Sequence, residues 1–250
     1  MMTKFAGKIG VITGASTGIG FATAKRFVEE GMDHVFITGR RKDVLDRAVA
    51  EIGRNVTAVQ GDAANLKDID RLYETVAKLE RKLDVIFANA GVAQIAPLIE
   101  VDEKFFDLHF DANVKGVFFT VQKGLPFLNE GGAIILTASI ASIKGFPGTS
   151  VYSASKAAVR SLARTWTNEL RERRIRVNAI SPGYIDTPIF ETWQQGEALT
   201  KMKEDLAKTV PMGRMGSPDE IAKVVSFLAS DDASYTSGIE LFVDGGVAQI

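Results

Sequence analysis

The sequence predicts a doubly wound α/β fold, a parallel sheet with helices on both faces. Three observations carry that expectation. Apolar runs of strand length alternate with longer amphipathic stretches along most of the chain. The first run empties into a glycine loop, Gly14-Ala15-Ser16-Thr17-Gly18-Ile19-Gly20, that opens a helix. At 250 residues with 46% hydrophobic content, the chain can bury a full core, and it shows no repeat, low-complexity segment or linker, so one domain is expected over residues 1–250.

Residues 8–13 read as a buried strand and 21–30 as the helix after the glycine loop. Glycines let a backbone approach a pyrophosphate, and a helix N-terminus favours its charge, so Gly14, Ser16, Thr17, Gly18, Ile19 and Gly20 are candidate nucleotide contacts. The alternative is a plain strand–helix turn, because the spacing Gly-x3-Gly-x-Gly is not the Gly-x-Gly-x-x-Gly fingerprint. His34–Gly39 is the second strand. An acid at its end, about twenty residues past the loop, would hold a ribose 2′-hydroxyl. Here Gly39 is followed by Arg40 and Arg41. Two cations suit a 2′-phosphate and argue for NADP, against the alternative of a solvated pair opening the helix Lys42–Ile52.

A third strand, 56–61, ends at Asp62-Ala63 and is followed by a helix at 66–78. A fourth, Leu83–Ala88, runs into Asn89-Ala90-Gly91. Ligands of such sheets bind beyond the strands' C-terminal ends, where Gly14, Arg40, Asp62 and Asn89 would gather. A long helical region at about 102–128 carries Asn113 on an otherwise apolar side, where it needs hydrogen-bond partners, backbone or water. The fifth strand, 133–138, ends at Ser139, and the helix 150–171 carries Tyr152 and Lys156. A sixth strand spans 175–181 and closes on Pro182-Gly183. Residues 184–211 show no strand character and read as a lid or pocket wall; 217–230 is a helix opened by Ser217-Pro218, and 239–243 is the last strand.

Tyr152 and Lys156 stand four residues apart, on one helix face. A nearby ammonium lowers a phenol's pKa, which would make the pair a proton donor or acceptor. The alternative is a packed Tyr beside a solvated Lys. Ser139 and the glycine loop favour chemistry.

Composition excludes other classes. The net charge of −1, from 30 basic and 31 acidic residues, gives no footprint for nucleic acid or an anionic membrane. With no Cys, thiolate catalysis and disulfides are out. His34 and His109, the only histidines, have no partner at metal or triad spacing, so both are expected to be structural and no metal is expected. No apolar run spans a bilayer, and Met1-Met2-Thr3-Lys4-Phe5 lacks a signal peptide's apolar core, so a cytoplasmic protein is expected.

Taken together, these motifs resemble the short-chain dehydrogenase/reductase family. Residues 13–20 resemble its cofactor loop, Asn89-Ala90-Gly91 its mid-sheet motif, and Tyr152-Ser153-Ala154-Ser155-Lys156 its catalytic motif. Pro182-Gly183 and Val243-Asp244-Gly245-Gly246 are similar to further landmarks, so the resemblance covers nearly the whole chain. It implies a seven-stranded Rossmann fold and NAD(P)-dependent interconversion of alcohol and carbonyl. By that similarity Ser139 positions the substrate oxygen, Tyr152 transfers its proton, Lys156 lowers the Tyr pKa and binds the nicotinamide ribose, and Asn113 holds a relay water. Pro182, Gly183, Ile185 and Thr187 would join the cofactor contacts, and Gly39 with Arg40 matches the NADP-preferring pattern. A homotetramer or homodimer is implied, paired through the helices around 102–128 and 150–171.

The expectation is an NADP(H)-dependent carbonyl reductase for a small-molecule ketone, aldehyde or 3-oxo ester. Its largely apolar pocket would be lined by Gln94, Ile95, Ala141, Phe146, Tyr184, Phe190 and Trp193. A hydroxysteroid, sugar or acyl-carrier substrate stays open. The rival readings are an NADP(H)-sensing binding protein of the same fold without turnover, and a structural subunit.

Overall fold

Alternate side chains of a strand point to opposite faces, and here both sets are apolar. The computed structural model describes residues 4–250; the reading of Met1, Met2 and Thr3 lies outside the described residues. Val11 of β1 (Ile9–Ile12), Ile86 of β4 (Leu83–Ala88) and Ile134 of β5 (Leu128–Thr137) pack on one face of the sheet. Ile12, Phe87 and Ile135 pack on the other. With β2 (His34–Gly39), β3 (Val56–Gln60), β6 (Arg176–Pro182) and β7 (Glu240–Val243), they form one seven-stranded sheet in the order β3-β2-β1-β4-β5-β6-β7, parallel throughout.

Helices close both faces. Phe27 of α1 (Gly18–Glu29), Leu45 of α2 (Lys42–Ile52) and Leu228 of α8 (Pro218–Ala229) cover Ile12 and its neighbours. Leu72 of α3 (Leu66–Ala77), Val121 of α5 (Gly116–Gly124) and Trp166 of α6 (Ser150–Glu169) cover the opposite side. Strand order reverses between β1 and β4, and the Thr13 N–H donates to the Phe87 carbonyl across that junction at 3.1 Å. A crevice at the strands' C-terminal ends follows from this reversal.

Two expectations need correction, and a third needs detail. Helix α1 begins at Gly18, so two of the loop glycines belong to its first turn. The region 102–128 is not one helix: α4 (Glu103–Phe110) passes through a π turn, Asp111–Lys115, into α5, and after a short 3-10 turn at Leu125–Phe127, β5 starts at Leu128. The π turn centres on Asn113, whose side chain is tied outside its own helix, as argued below. Residues 184–211 contain a 3-10 turn, Pro188–Thr192, and helix α7 (Gly196–Thr209). Leu199, Met202 and Leu206 give α7 one half-buried face, but no residue of it is fully buried. It therefore rests on the body with little apolar anchorage.

Candidate active site

The glycine loop leaves the end of β1 and turns sharply because no side chain fits it. Gly14 has φ of +64°, and a Cβ there would stand 2.7 Å from the Ala90 Cα. A Cβ on Gly20 would stand 2.4 Å from the Gly14 carbonyl oxygen, so Gly20 packs the helix start against the loop. Helix α1 has no side-chain cap at Thr17 and no acid in its first turn. Asn65, Asp102 and Ser217 cap α3, α4 and α8, whereas α2, α6 and α7 share with α1 the lack of a side-chain cap. An uncapped positive helix end suits an anion. Gly14, Ser16, Thr17, Gly18 and Ile19 line a cavity of about 600 Å³; Gly20 lies behind its wall.

Arg40 and Arg41 line the same cavity at the end of β2, both exposed, and among the described residues neither has an ion-pair partner. Gly39 is buried against Ser16: a Cβ would lie 2.9 Å from both the Ser16 Cβ and Oγ. Asp62 and Ala63 line the cavity beside them, the Asp62 carboxylate accepting from the Ala64 N–H.

Asn89 ties three strands together. Its amide donates to the Thr13 and Gly14 carbonyls, each at 3.1 Å, and its oxygen accepts from the Thr137 hydroxyl. Both amide hydrogens are thus spent on protein. Asn89 shapes the cavity wall next to Ala90 and Gly91, which line it too, and has no side-chain donor left for a ligand. Thr137 is a residue that sequence reasoning missed; as the last residue of an apolar strand it carries no signal of its own.

Ser139, Tyr152 and Lys156 meet on one wall. Ser139 caps the short turn Ile140–Ser142, its hydroxyl accepting from the Ala141 N–H at 3.2 Å. The Lys156 side chain is 4% exposed; its ammonium donates to the Thr137 carbonyl at 2.8 Å and lies 5.7 Å from the Tyr152 ring centre. Desolvation brings that ammonium down to about 8. Burial holds the Tyr152 phenol above its ordinary value, with the Ser139 hydroxyl pulling the other way. The sequence predicts a phenol drawn down by its lysine; in the structure the shift runs upward through burial, and the opposing pull comes from Ser139.

Asn113 is fully buried and does not line the cavity. Its oxygen accepts from the Val92 N–H at 2.8 Å, and its amide donates to the Val92 carbonyl and to Ser155 Oγ at 2.9 and 3.0 Å. The chain opens into a π turn where this side chain is held. With both amide hydrogens spent, the Asn113 side chain has no donor left for a relay water. Ser155 was also missed, because it reads as filler between Tyr152 and Lys156. The buried His109 donates from Nδ1 to the Phe105 carbonyl and accepts the Gln94 N–H on Nε2, which makes it structural; His34 meets Thr57 at the sheet edge.

Beyond this wall, Gln94, Ile95, Ala141, Phe146, Tyr184, Phe190 and Trp193 all line the cavity, as do Pro182, Gly183, Ile185 and Thr187. Leu206, from the segment expected to wall the pocket, joins them, as do Leu108 and Ile140, which were not foreseen. The Trp193 indole N–H donates to the Ala93 carbonyl at 2.5 Å and its ring meets Phe190 edge-on at 5.0 Å. The segment carrying α7 is thereby latched to the loop after β4. Among the cavity residues only Arg40, Arg41, Asp62 and Lys156 are charged, and none belongs to this far end.

A sequence profile described as Enoyl-(Acyl carrier protein) reductase matches residues 14–248. The oxidoreductase AsL5 of Sarocladium schorii is 48% identical, covering 99% of this chain and 98% of its own. The chain belongs to the short-chain dehydrogenase/reductase family. The 3-oxoacyl-[acyl-carrier-protein] reductase FabG of Thermotoga maritima is 38% identical over 98% of this chain and 99% of its own. The crystal structure of levodione reductase superposes with a TM-score of 0.92 at 30% identity, over 98% and 99% of the two chains. This member of the short-chain dehydrogenase/reductase family is accordingly an oxidoreductase with a Rossmann-type fold. Among the described residues, no helix is long and apolar enough to cross a membrane.

Proposed function

We propose that the protein is an NADP(H)-dependent carbonyl reductase acting on ketones, aldehydes or 3-oxo esters. The observation that carries this reading is one continuous cavity. It joins an uncapped helix end and two arginines without ion-pair partners among the described residues to a wall bearing Ser139, Tyr152 and Lys156. The residues fit the cofactor. Gly14, Ser16, Thr17, Gly18 and Ile19 would receive its pyrophosphate, Arg40 and Arg41 its 2′-phosphate, and Lys156 its nicotinamide ribose, with Asp62, Ala63, Ala90, Gly91, Pro182, Gly183, Ile185 and Thr187 along its length. The nearness of Ser16 to Gly39 puts a hydroxyl next to the arginines, which adds a donor for phosphate.

When bound, NADPH supplies the hydride that adds to the carbonyl carbon. The residues handle the oxygen. Negative charge develops there, the Ser139 hydroxyl donates a hydrogen bond to it, and Tyr152 gives it a proton to complete the alcohol. A phenol held neutral by burial supports reduction at neutral pH. The nearby Lys156 ammonium stabilises the phenolate that remains. Asn113 holds the Val92 backbone beside this wall and acts as scaffold.

The far end of the cavity is lined mainly by aromatic and aliphatic side chains, with Gln94 polar and none charged, which supports a neutral, largely apolar substrate over a carboxylate. The 3-oxoacyl and levodione names of two relatives point to the same carbonyl class. Pairing into a dimer or tetramer rests on the family resemblance and on Phe106 of α4, 44% exposed. The test is NADPH oxidation with ethyl acetoacetate, 1-tetralone and benzaldehyde, with NADH as control. Turnover of at least one carbonyl with NADPH preferred is expected; NADPH binding with no turnover of any would favour the sensing alternative.

A further inference from the structure

Glu240 is an acid at the start of strand β7, outside the cavity lining, and its side chain is only 8% exposed. A buried carboxylate is costly unless its oxygens are matched. Here they are. One oxygen accepts from Ser142 Oγ at 2.5 Å and from Ser181 Oγ at 2.6 Å. The other meets Arg160 Nε at 3.2 Å, and Arg160 also donates to the Gly238 carbonyl at 3.0 Å.

Each partner leads to a different part of the site. Ser142 ends the short turn that Ser139 caps, and its N–H donates to the Ser139 carbonyl at 2.9 Å. Ser181 is the residue before Pro182-Gly183 at the end of β6. Arg160 lies on α6 one turn beyond Lys156 and two beyond Tyr152. One carboxylate therefore joins the turn carrying the Ser139 hydroxyl to the helix carrying the Tyr152 hydroxyl, a second tie beside the direct bond between those two hydroxyls. None of its three partners lines the cavity.

We propose that Glu240 is a positioning residue that sets the separation of the Ser139 and Tyr152 hydroxyls, the two donors to the carbonyl oxygen. This rests on the assignment of those two donors under the proposed function. Two donors must meet one oxygen at once, and a displacement of about 1 Å costs on the order of 10²-fold in rate. Glu240→Leu keeps about the same volume but has no oxygen to accept from the Arg160 N–H or the serine hydroxyls, so both links break. Ser142→Ala cuts the turn from the carboxylate and leaves Arg160 paired.

The experiment compares wild type, Glu240→Leu and Ser142→Ala by crystallography and by kinetics with ethyl acetoacetate, 1-tetralone and benzaldehyde. The Ser139 Oγ to Tyr152 Oη separation should change by more than about 0.5 Å in Glu240→Leu. Its kcat should fall about tenfold while the NADPH Kd stays within about twofold. In a Ser139→Ala background the same change should cost less than about twofold in kcat, because the hydroxyl it aligns is gone. An unchanged separation overturns the proposal whatever the kinetics; a kcat loss undiminished in the Ser139→Ala background overturns it as well, since general damage would not depend on that hydroxyl. If Glu240→Leu fails to fold, Ser142→Ala carries the same measurements. A wild type that reduces none of the three carbonyls would defeat the proposed function, and the crystallographic separation would still decide whether Glu240 positions the pair.

Discussion

Replacing Lys156 by Met should flatten the pH dependence of stability above neutrality. The ammonium is 4% exposed, its one hydrogen bond among the described residues goes to the Thr137 carbonyl, and desolvation lowers it from 10.5 to about 8. Below pH 8 the lysine is charged in both folded and unfolded chains, and the folded state bears the cost of a buried cation. Between about 8 and 10.5 the folded chain has released the proton and the unfolded chain still holds it. The unfolded state binds more protons in that window, so stability rises with pH across it. The shift corresponds to about 3 kcal/mol, on the order of a quarter of a typical domain's stability. At pH 7, Lys156→Met removes that cost along with one charged hydrogen bond of about 1.5–3 kcal/mol, so the two proteins should be close in stability there. Urea denaturation of both at half-unit steps from pH 7 to 10.5 provides the assay, because other titrating groups cancel in the difference. Wild type should gain on the variant by about 3 kcal/mol over the window. A difference that stays flat would show that Lys156 titrates as an ordinary lysine.

Tyr152→Phe should lose about 10²–10⁴ in kcat for carbonyl reduction while NADPH still binds, as stopped-flow turnover and fluorescence titration would show; retention of half the rate would remove Tyr152 as the proton donor. Arg40→Ala should cost NADPH about one to two powers of ten in kcat/KM and leave NADH nearly unchanged, the worth of a charge-assisted hydrogen bond of about 1.5–3 kcal/mol. Gly39→Asp with Arg40→Ile follows from charge alone as a reversal toward NADH, but the new Cβ meets Ser16 at 2.9 Å, so full reversal is expected only with Ser16→Gly added. If the double variant already prefers NADH, Ser16 yields more readily than its packing indicates. Trp193→Phe keeps the edge-on contact with Phe190 and loses the bond to the Ala93 carbonyl. Amide exchange across Gly196–Thr209 should then quicken up to about tenfold, and unaltered exchange would show that this bond does not latch the segment.

Where one physical signal was local, the sequence disclosed the structure. β2, α2 and β4 have the bounds their patterns predict, because an apolar strand of six residues or an amphipathic helix states its own period. The gathering of Gly14, Arg40, Asn89, Ser139 and Tyr152 at one cavity follows from parallel strand order, which puts every strand's C-terminal end on one side. Helix α7 escaped because its stripe, Leu199, Met202 and Leu206, is thin and its start at Gly196 has no side-chain cap. The break at Asn113 escaped because its residues suit a helix; what opens the π turn there is Val92, a partner twenty-one residues away.

The buried polar groups show why part of a site stays hidden in a single chain of letters. Asn113 invites a question on sight, since it stands among Val114, Val117 and Val121, and an unmatched amide there would cost about 1–3 kcal/mol. Glu240 invites none. At the first position of a short strand it reads as a residue facing water, and Arg160 reads as the polar side of an amphipathic helix. Each is unremarkable alone, and the pair lies eighty residues apart. The cost of burying either charge exists only because β7 sits beside α6 at the edge of the sheet, and the match that cancels the cost exists for the same reason. Local periodicity can therefore reveal that a side chain is buried, but a compensated charge leaves no trace until the topology brings its partner to it. The same reasoning applies to Lys156: its place one turn from Tyr152 is legible, whereas the desolvation that brings it to about 8 comes from the sheet around it.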